Sequence, residues 1–506
     1  MPLRLSPRTP CDFSMSSWRC SSLIPINPRR RSFWSHSSLA ADASHSSPPP
    51  SPAAKPDIYD IVCVGGGPAG LSLLTALRSS PRTANLKIAL VESQDLSKSL
   101  QKDALATEFS NRCSSLTPGS VKFLRDVGAL DHITSARVQP YHSMQVWDGV
   151  SGSSINFDPV TIPGTSKQGN VVAYMTENPN TVSALLGRLA TTAPIDIFDK
   201  TRVDKIELGQ DTEELDLSTW PVLSLSNSRK LAARLLIGAD GANSPVRGFA
   251  NIPSRGWDYD RQGVVATLQM RGLGWGGERH KIAYQRFLPS GPVALLPLPN
   301  NHASLVWSTT PDKANLLKRL SPADFLAMVN AAFRLLPVDL DYMHTITSGQ
   351  ADEFSWRESN TTFDPRKVPQ KVVGLQEGSV ASFPLRMRHA DTYIGHRVAL
   401  LGDAAHTVHP LAGQGLNSGL GDAQSLAKHI GEAVAVGKDI GSSWALEPYN
   451  AEQWPKNNIM LGTVDKLHKL YSAGSGPVVW VRTLGLEAVD KLPFVKGFFM
   501  KQATRL

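Results

Sequence analysis

The rhythm of apolar and polar positions changes twice along the chain. Tyr59–Val64 is a short β-rich apolar run, the length of one buried parallel strand. A glycine turn and Pro68 follow, and then Leu71, Leu74 and Leu77 recur at helical spacing. Residues 87–92 predict a second strand parallel to the first, which makes a βαβ unit with a right-handed crossover. A helix is predicted over 114–133, with Val121, Leu124, Val127 and Leu130 on one face.

From about Tyr141 to Tyr174 short β-type runs alternate with Gly, Ser and Asn, as in an antiparallel sheet. Thr181–Leu189 returns to helical spacing. Residues 195–237 predict strands joined by a polar hairpin around Asp211–Asp216. Strands are predicted again at Val264–Met270, Tyr284–Leu288, Val293–Leu298 and Ala303–Trp307, and a helix near Pro322–Leu336. The segment 355–379 is polar without a clean period and reads as a loop. The α/β rhythm resumes with a strand at Arg397–Leu401 and a long helix from about Gly415 to Val436; the C-terminal region reads as mainly helical. So α/β pieces at the two ends enclose an antiparallel middle. The expected fold is α/β: one discontinuous nucleotide-binding domain (57–140, 175–260 and 385–445), an inserted antiparallel-sheet domain (141–174 and 261–384) and a helical C-terminus (446–506).

Composition changes this picture at one end only. The chain has 506 residues and a formal net charge of +8. Residues 1–56 hold seven of the basic residues, including Arg29, Arg30 and Arg31, against only Asp12 and Asp42. The remainder is close to neutral and has no basic stripe, so nucleic acid is not an expected partner. Ser-rich, acid-poor and basic, residues 1–34 have the composition of a mitochondrial transit peptide. Residues 35–56, with Pro48, Pro49 and Pro50, read as an extended linker. Of four cysteines, only Cys63 and Cys113 lie beyond the leader, and neither forms a C-x-x-C pair. No metal site or disulfide framework is therefore expected. No apolar run is long enough to span a membrane.

Three motifs carry candidate chemistry. Gly65, Gly67 and Gly70 form a G-x-G-x-x-G between strand and helix, with Ala69 inside it. Gly65 permits the tight turn, Gly67 admits a pyrophosphate, and Gly70 lets helix and strand pack closely. The helix N-terminus adds free N–H groups. Glu92 ends the next strand, 27 residues after Gly65, where a carboxylate can accept from a ribose diol and disfavours a 2′-phosphate. Next, an apolar strand runs into Asp240-Gly241 and then Ser244-Pro245. Last, the strand at Arg397–Leu401 ends in Gly402-Asp403. A loop holding His406, His409 and Pro410 follows, then Gly413, Gly415, Leu416 and Asn417 opening a helix. A carboxylate there can bind polyol hydroxyls, and the helix N–H dipoles can stabilise negative charge on a flavin edge.

These motifs, in this order, resemble the FAD-dependent aromatic hydroxylases whose prototype is para-hydroxybenzoate hydroxylase. His409–Asp422 is similar to the signature of ubiquinone-biosynthesis hydroxylases, and Asn111–Ser115, Tyr174–Asn178 and Tyr284–Pro297 resemble the mitochondrial branch, whose members hydroxylate ring carbon 5 of a polyprenylated 4-hydroxybenzoate-derived intermediate. The resemblance implies a Rossmann-like FAD-binding domain and a monooxygenase working through a C4a-hydroperoxyflavin. It implies that Arg112 contacts the FAD phosphate–ribityl region, that Asp403 holds the ribityl chain, that Gly415, Leu416 and Asn417 line the flavin edge, and that Asp240 braces the pyrophosphate indirectly. Asn178 either touches FAD or caps the helix that starts near Pro179. No catalytic side chain is required, because the reactivity is flavin-borne; Phe287 and Pro410 are expected to line the ring site, and His409 to be structural. Implied partners are the polyprenylated phenol, O2, other quinone-biosynthesis proteins and the matrix side of the inner mitochondrial membrane. The implied electron donor is ferredoxin with its reductase, with direct NADPH reduction as the alternative. A soluble small-phenol hydroxylase and a non-catalytic FAD-stabilised scaffold share the same motifs.

Overall fold

A sheet whose central strands are parallel carries the two α/β parts of the described residues. The computed structural model describes residues 55–100, 108–159, 171–272, 280–408, 413–472, 475–476, 479–480, 482–483 and 485. The expected leader and almost all of the linker lie outside them. Strand Asp57–Val64 sits in the middle, parallel to Ile88–Val91 on one side and to Lys230–Gly238 on the other. Val398–Leu400 adds parallel beyond Lys230–Gly238, and Asp196–Phe198 beyond Ile88–Val91. Ile61, Val62 and Cys63 are fully buried, as a central strand with both faces covered requires. Helix Pro68–Ser79 packs against helix Gly415–Ala435, so Leu73 is buried along with the expected stripe of Leu71, Leu74 and Leu77.

A second, nine-stranded sheet forms the middle of the chain. Its long strand Ser254–Met270 pairs antiparallel with His302–Thr309, Val372–Leu375 and Ala381–Ala390. One pairing is parallel: Ile282–Leu288 with Ser143–Asp148. Side chains alternate across this sheet. Val264, Ala266, Tyr284, Val293, Leu295, Leu305 and Trp307 face helix Pro322–Arg334 and bury Phe325, Met328 and Phe333. Ala283 and Leu296 point the other way and meet Tyr141 and Met175. Those two residues belong to a three-stranded sheet of Cys113–Leu116, Val138–Tyr141 and Ala173–Glu177.

Two expectations change. The predicted helix over 114–133 begins as the strand Cys113–Leu116, and only Pro118–Asp126 is α-helical. Pro118 keeps the residue before it extended, Thr117 caps the helix by accepting from Ser120 N at 3.2 Å, and Gly128 at φ +74° stops it. The expected loop over 355–379 holds the end of helix Gln350–Ser359 and the strand Val372–Leu375. That helix buries only Gln350 and Phe354, and the strand only Val372, too little to leave a hydrophobic period. The C-terminal region is helical over Ser443–Ser472.

Candidate functional site

The first glycine turn is built by close backbone approach. Gly65 has φ +109°, and a Cβ there would lie 2.2 Å from the Ala239 carbonyl oxygen; one at Gly70 would lie 2.2 Å from the Gly65 carbonyl oxygen. Gly67 is different: a Cβ there would meet nothing within 4 Å. Open space therefore lies over Gly67, at the N-cap of a helix that has no side-chain cap and no acidic residue in its first turn. Glu92 lies beside this turn. Its Oε2 accepts from Gly66 N at 2.5 Å and its Oε1 from Gln94 N at 2.7 Å.

The Asp-Gly turn lies at the end of the neighbouring strand. Asp240 Oδ2 accepts from Val246 N at 3.1 Å, while Oδ1 is buried without a hydrogen-bond partner among the described residues. Burial pushes this carboxyl above its ordinary range; Ser244, Val246 and Arg247 offset part of the rise. Arg247 donates to Ala242 O and to Ala404 O, both at 2.8 Å. It thereby staples the Asp-Gly turn to the Gly-Asp turn, a link that sequence spacing gave no reason to expect.

The Gly-Asp turn is itself held from below. Asp422 is fully buried and accepts from Gly402 N at 3.0 Å, His406 Nε2 at 2.6 Å and Asn457 Nδ2 at 3.0 Å. Burial alone would pull the His406 imidazole down, but Asp422 and Asp403 reverse that and hold it above its usual value. His406 is thus a structural partner rather than a free base. Asp403 is solvent-accessible yet ringed by protein atoms, as a carboxylate projecting into a cleft is. That crowding pushes its carboxyl upwards, and His406 draws it part of the way back. Ala69 joins the two grips: Cβ atoms built at Gly402 and Gly419 would sit 3.1 and 3.2 Å from the Ala69 methyl.

The remaining expected residues divide. Arg112 is exposed, and its guanidinium makes no hydrogen bond to a described residue. Its carbonyl accepts from Asn178 N at 2.8 Å, so the two are neighbours. Asn178 is the first residue of helix Asn178–Ala190 and does not cap it; its Oδ1 accepts from Ser114 Oγ at 2.6 Å. Gly415 and Leu416 are half-buried at the start of the long helix. The Asn417 side chain is spent inside the protein. It donates to Ser115 O at 2.8 Å and accepts from Thr117 N and Ser120 Oγ. Only its backbone remains for a flavin edge. Phe287 is 6% exposed and stacks on Tyr471 at 3.9 Å, so its ring face is already covered. Pro410 and His409 lie outside the described residues.

FAD fits this set of groups. The pyrophosphate has the open face of Gly67 and the uncapped helix; the Asp240 oxygen and the Arg112 cation, both without partners among the described residues, and the accessible Asp403 carboxylate offer polar groups along its length.

Comparison with known proteins agrees. Residues 58–460 match the family model described as FAD binding domain. The mitochondrial ubiquinone biosynthesis monooxygenase COQ6 of Schizosaccharomyces pombe is 39% identical over 453 residues, covering 87% of this chain and 91% of that protein. The human protein of the same name is 36% identical over 449 residues, covering 88% and 93%. Among solved structures, p-nitrophenol 4-monooxygenase PnpA from Pseudomonas putida superposes with TM-score 0.62 at 17% identity, covering 89% of this chain and 99% of that one. PqsL, a probable FAD-dependent monooxygenase from Pseudomonas aeruginosa, gives 0.59 at 19% identity, covering 85% and 100%. These two share the fold.

Proposed function

The chain belongs to the FAD-binding family and, within it, to the mitochondrial ubiquinone biosynthesis monooxygenases, and on that footing we propose that it hydroxylates ring carbon 5 of a polyprenylated 4-hydroxybenzoate-derived intermediate at the matrix face of the inner membrane. It is an FAD-dependent aromatic-ring monooxygenase of ubiquinone biosynthesis. Bound and reduced, FAD supplies with O2 the electrophilic oxygen that attack by an electron-rich ring requires.

The observation that carries this reading is the joining of the three turns. Arg247 ties Ala242 to Ala404, Ala69 packs under Gly402, and Asp422 holds Gly402 N. One cofactor can then be bound along its whole length by Glu92, Arg112, Asp240 and Asp403. Segments 57–140, 175–260 and 385–445 form the bulk of the FAD-binding domain in this reading, and 141–174 with 261–384 the bulk of the substrate domain, with the strands Ser254–Met270 and Ala381–Ala390 of the second sheet running across two of these boundaries. The protein's task is to hold the ring near the flavin edge and keep water out.

Residues 1–34 act as the mitochondrial leader, which suits relatives that are named mitochondrial. Among the described residues no helix is long and apolar enough to cross a membrane, so contact with the membrane is peripheral in this reading. Electrons come from ferredoxin and its reductase in this reading; the second G-x-G-x-x-G match, at Gly272, Gly274 and Gly277, falls in sequence between the strands Ser254–Met270 and Ile282–Leu288 instead of between a strand and a helix. Rapid reduction of the purified enzyme by NADPH alone would contradict that route. Quinone profiling of a deletion strain tests the whole reading: rings lacking the C5 hydroxyl accumulate if it is right, and a normal quinone profile overturns it.

A further inference from the structure

On the face of the second sheet that is turned away from its helices, a floor of partly accessible apolar side chains ends in a polar one. Across neighbouring strands Gln285 pairs with Ala294, Ala294 with Val306, Val306 with Val265, and Val265 with Ala381. Ala294, Val306, Val265 and Ala381 are only half-buried, although they lie in interior strands. Their neighbours on the opposite face, Val264, Val293, Leu295 and Leu305, are at most 1% exposed beneath the helices. The floor is therefore a place where apolar surface in the middle of a sheet is left partly accessible.

Contacts connect this floor to the flavin loop. A Cβ at Gly413 would lie 3.6 Å from the Ser115 Cβ, and Ser115 Oγ lies 2.8 Å from Tyr141 Oη. The Tyr141 ring packs with Ala283, two residues before Gln285 on the same face. At the other end, Phe287 is sealed by Tyr471. Gln285 lies between these limits. It is 4% exposed, yet its side chain makes no hydrogen bond to a described residue, and its amide atoms are not sealed off. A buried amide without a partner destabilises a fold unless something else satisfies it.

We propose that Gln285 is the specificity-determining contact for the aromatic substrate, its amide hydrogen-bonding the ring's polar substituent while Ala294, Val306 and Val265 support the ring. An amide offers both a donor and an acceptor, so it accepts the proton of a phenol or receives an aniline amine equally well. A single polar contact on an apolar floor sets which ring edge faces the flavin. This inference rests on the substrate reading above and adds to it the residue that reads the ring. Ser304, the other polar side chain facing the floor whose hydroxyl is unpartnered and not sealed, is the internal control.

The test titrates FAD-loaded enzyme with 3-farnesyl-4-hydroxybenzoate and with the analogue lacking the 4-hydroxyl, following the flavin absorbance. Gln285→Leu is expected to weaken binding of the phenol about tenfold, the scale of one lost hydrogen bond. It should leave the deoxy analogue's affinity and the FAD content unchanged. In turnover a larger share of electrons should end as hydrogen peroxide. Leucine replaces an unpartnered amide of similar size, so the apoprotein should melt no lower than wild type. Equal loss for both ligands, no loss for either, or a loss that follows Ser304→Ala instead would overturn the proposal. Wild-type enzyme that ignores the farnesylated ring but binds unprenylated 4-hydroxybenzoate would overturn the substrate reading alone, and Gln285→Leu is then scored by the same comparison on that ring.

Discussion

A methyl group added at Gly65 would sit 2.2 Å from the Ala239 carbonyl oxygen, on a residue already at φ +109°. Gly65→Ala is therefore expected to cost at least about 2 kcal/mol and to empty the FAD site, seen as lowered thermal stability with colourless protein. Arg112→Ala should behave in the opposite way. Its guanidinium is exposed and has no partner among the described residues, so the apoprotein should melt as before, while FAD affinity falls about tenfold. A lowered apoprotein melting temperature would make Arg112 a structural residue instead. Protonation adds a third expectation. Burial, then His406, pull His389 down to about 4, and burial, then Lys313, do the same to His344. Unfolded, each would titrate near its ordinary value of 6.5. Between those values the unfolded chain binds more protons, so stability falls as pH drops from 6.5 towards 4. His406, held high, contributes in the other direction: its share is present below the ordinary value and is lost as pH rises through the folded one. His389→Gln should flatten the acid limb by up to about 3 kcal/mol in denaturant titrations across pH; an unchanged limb would contradict the assignment. At this scale the position of Glu92 beside the glycine turn was legible from motif and spacing, whereas Arg112 was named only through the family resemblance. Arg247 and Asp422 were not assigned roles, because what they do depends on which turns the fold brings together. The side-chain bonds of Asn417 were illegible for the same reason: Thr117 and Ser120 are about 300 positions away in sequence.

Among the elements, the helix Pro68–Ser79 does two jobs. Its N-terminus faces the open space over Gly67, and its Ala69 packs under the Gly402 turn and against Gly419 of the long helix. A larger side chain would push the two grips apart while leaving most of the core untouched. Ala69→Leu should reduce FAD retention more than tenfold, with only about 1–3 kcal/mol lost in stability. Comparing FAD dissociation with denaturant midpoints checks this, and an unchanged dissociation rate would mean that the turns are not coupled through Ala69. Elements that bury a full apolar face were read from the sequence, such as Asp57–Val64, Tyr284–Leu288 and the helix from Gly415. Those that bury little were missed. Cys113–Leu116 carries no hydrophobic alternation, and Gln350–Ser359 buries only Phe354 of its large apolar side chains, with Trp356 exposed. The conformation of Cys113–Leu116 and of the helix after it is imposed by Pro118, by Thr117 capping and by pairing with Ala173–Glu177, of which only the first is visible locally.

For the molecule as a whole, the two sheets divide the labour: the parallel one binds the nucleotide, and the apolar floor of the other receives the ring in this account. The alternation of α/β ends with an antiparallel middle was legible because each sheet has its own hydrophobic period. The parallel pairing of Ile282–Leu288 with Ser143–Asp148 was not, since strand order is set by connections rather than by residues. Two protein-level consequences remain. Reduced ferredoxin should drive turnover in the purified system where NADPH alone does not. The most direct measurement of the central claim is isotopic. FAD-loaded enzyme with ferredoxin, its reductase and NADPH is given 3-farnesyl-4-hydroxybenzoate under 18O2, and the ring product is analysed by mass spectrometry and NMR. The account predicts one 18O atom per product, on ring carbon 5, abolished in Gly65→Ala. Hydrogen peroxide without ring product, or a hydroxyl oxygen drawn from water, would contradict it.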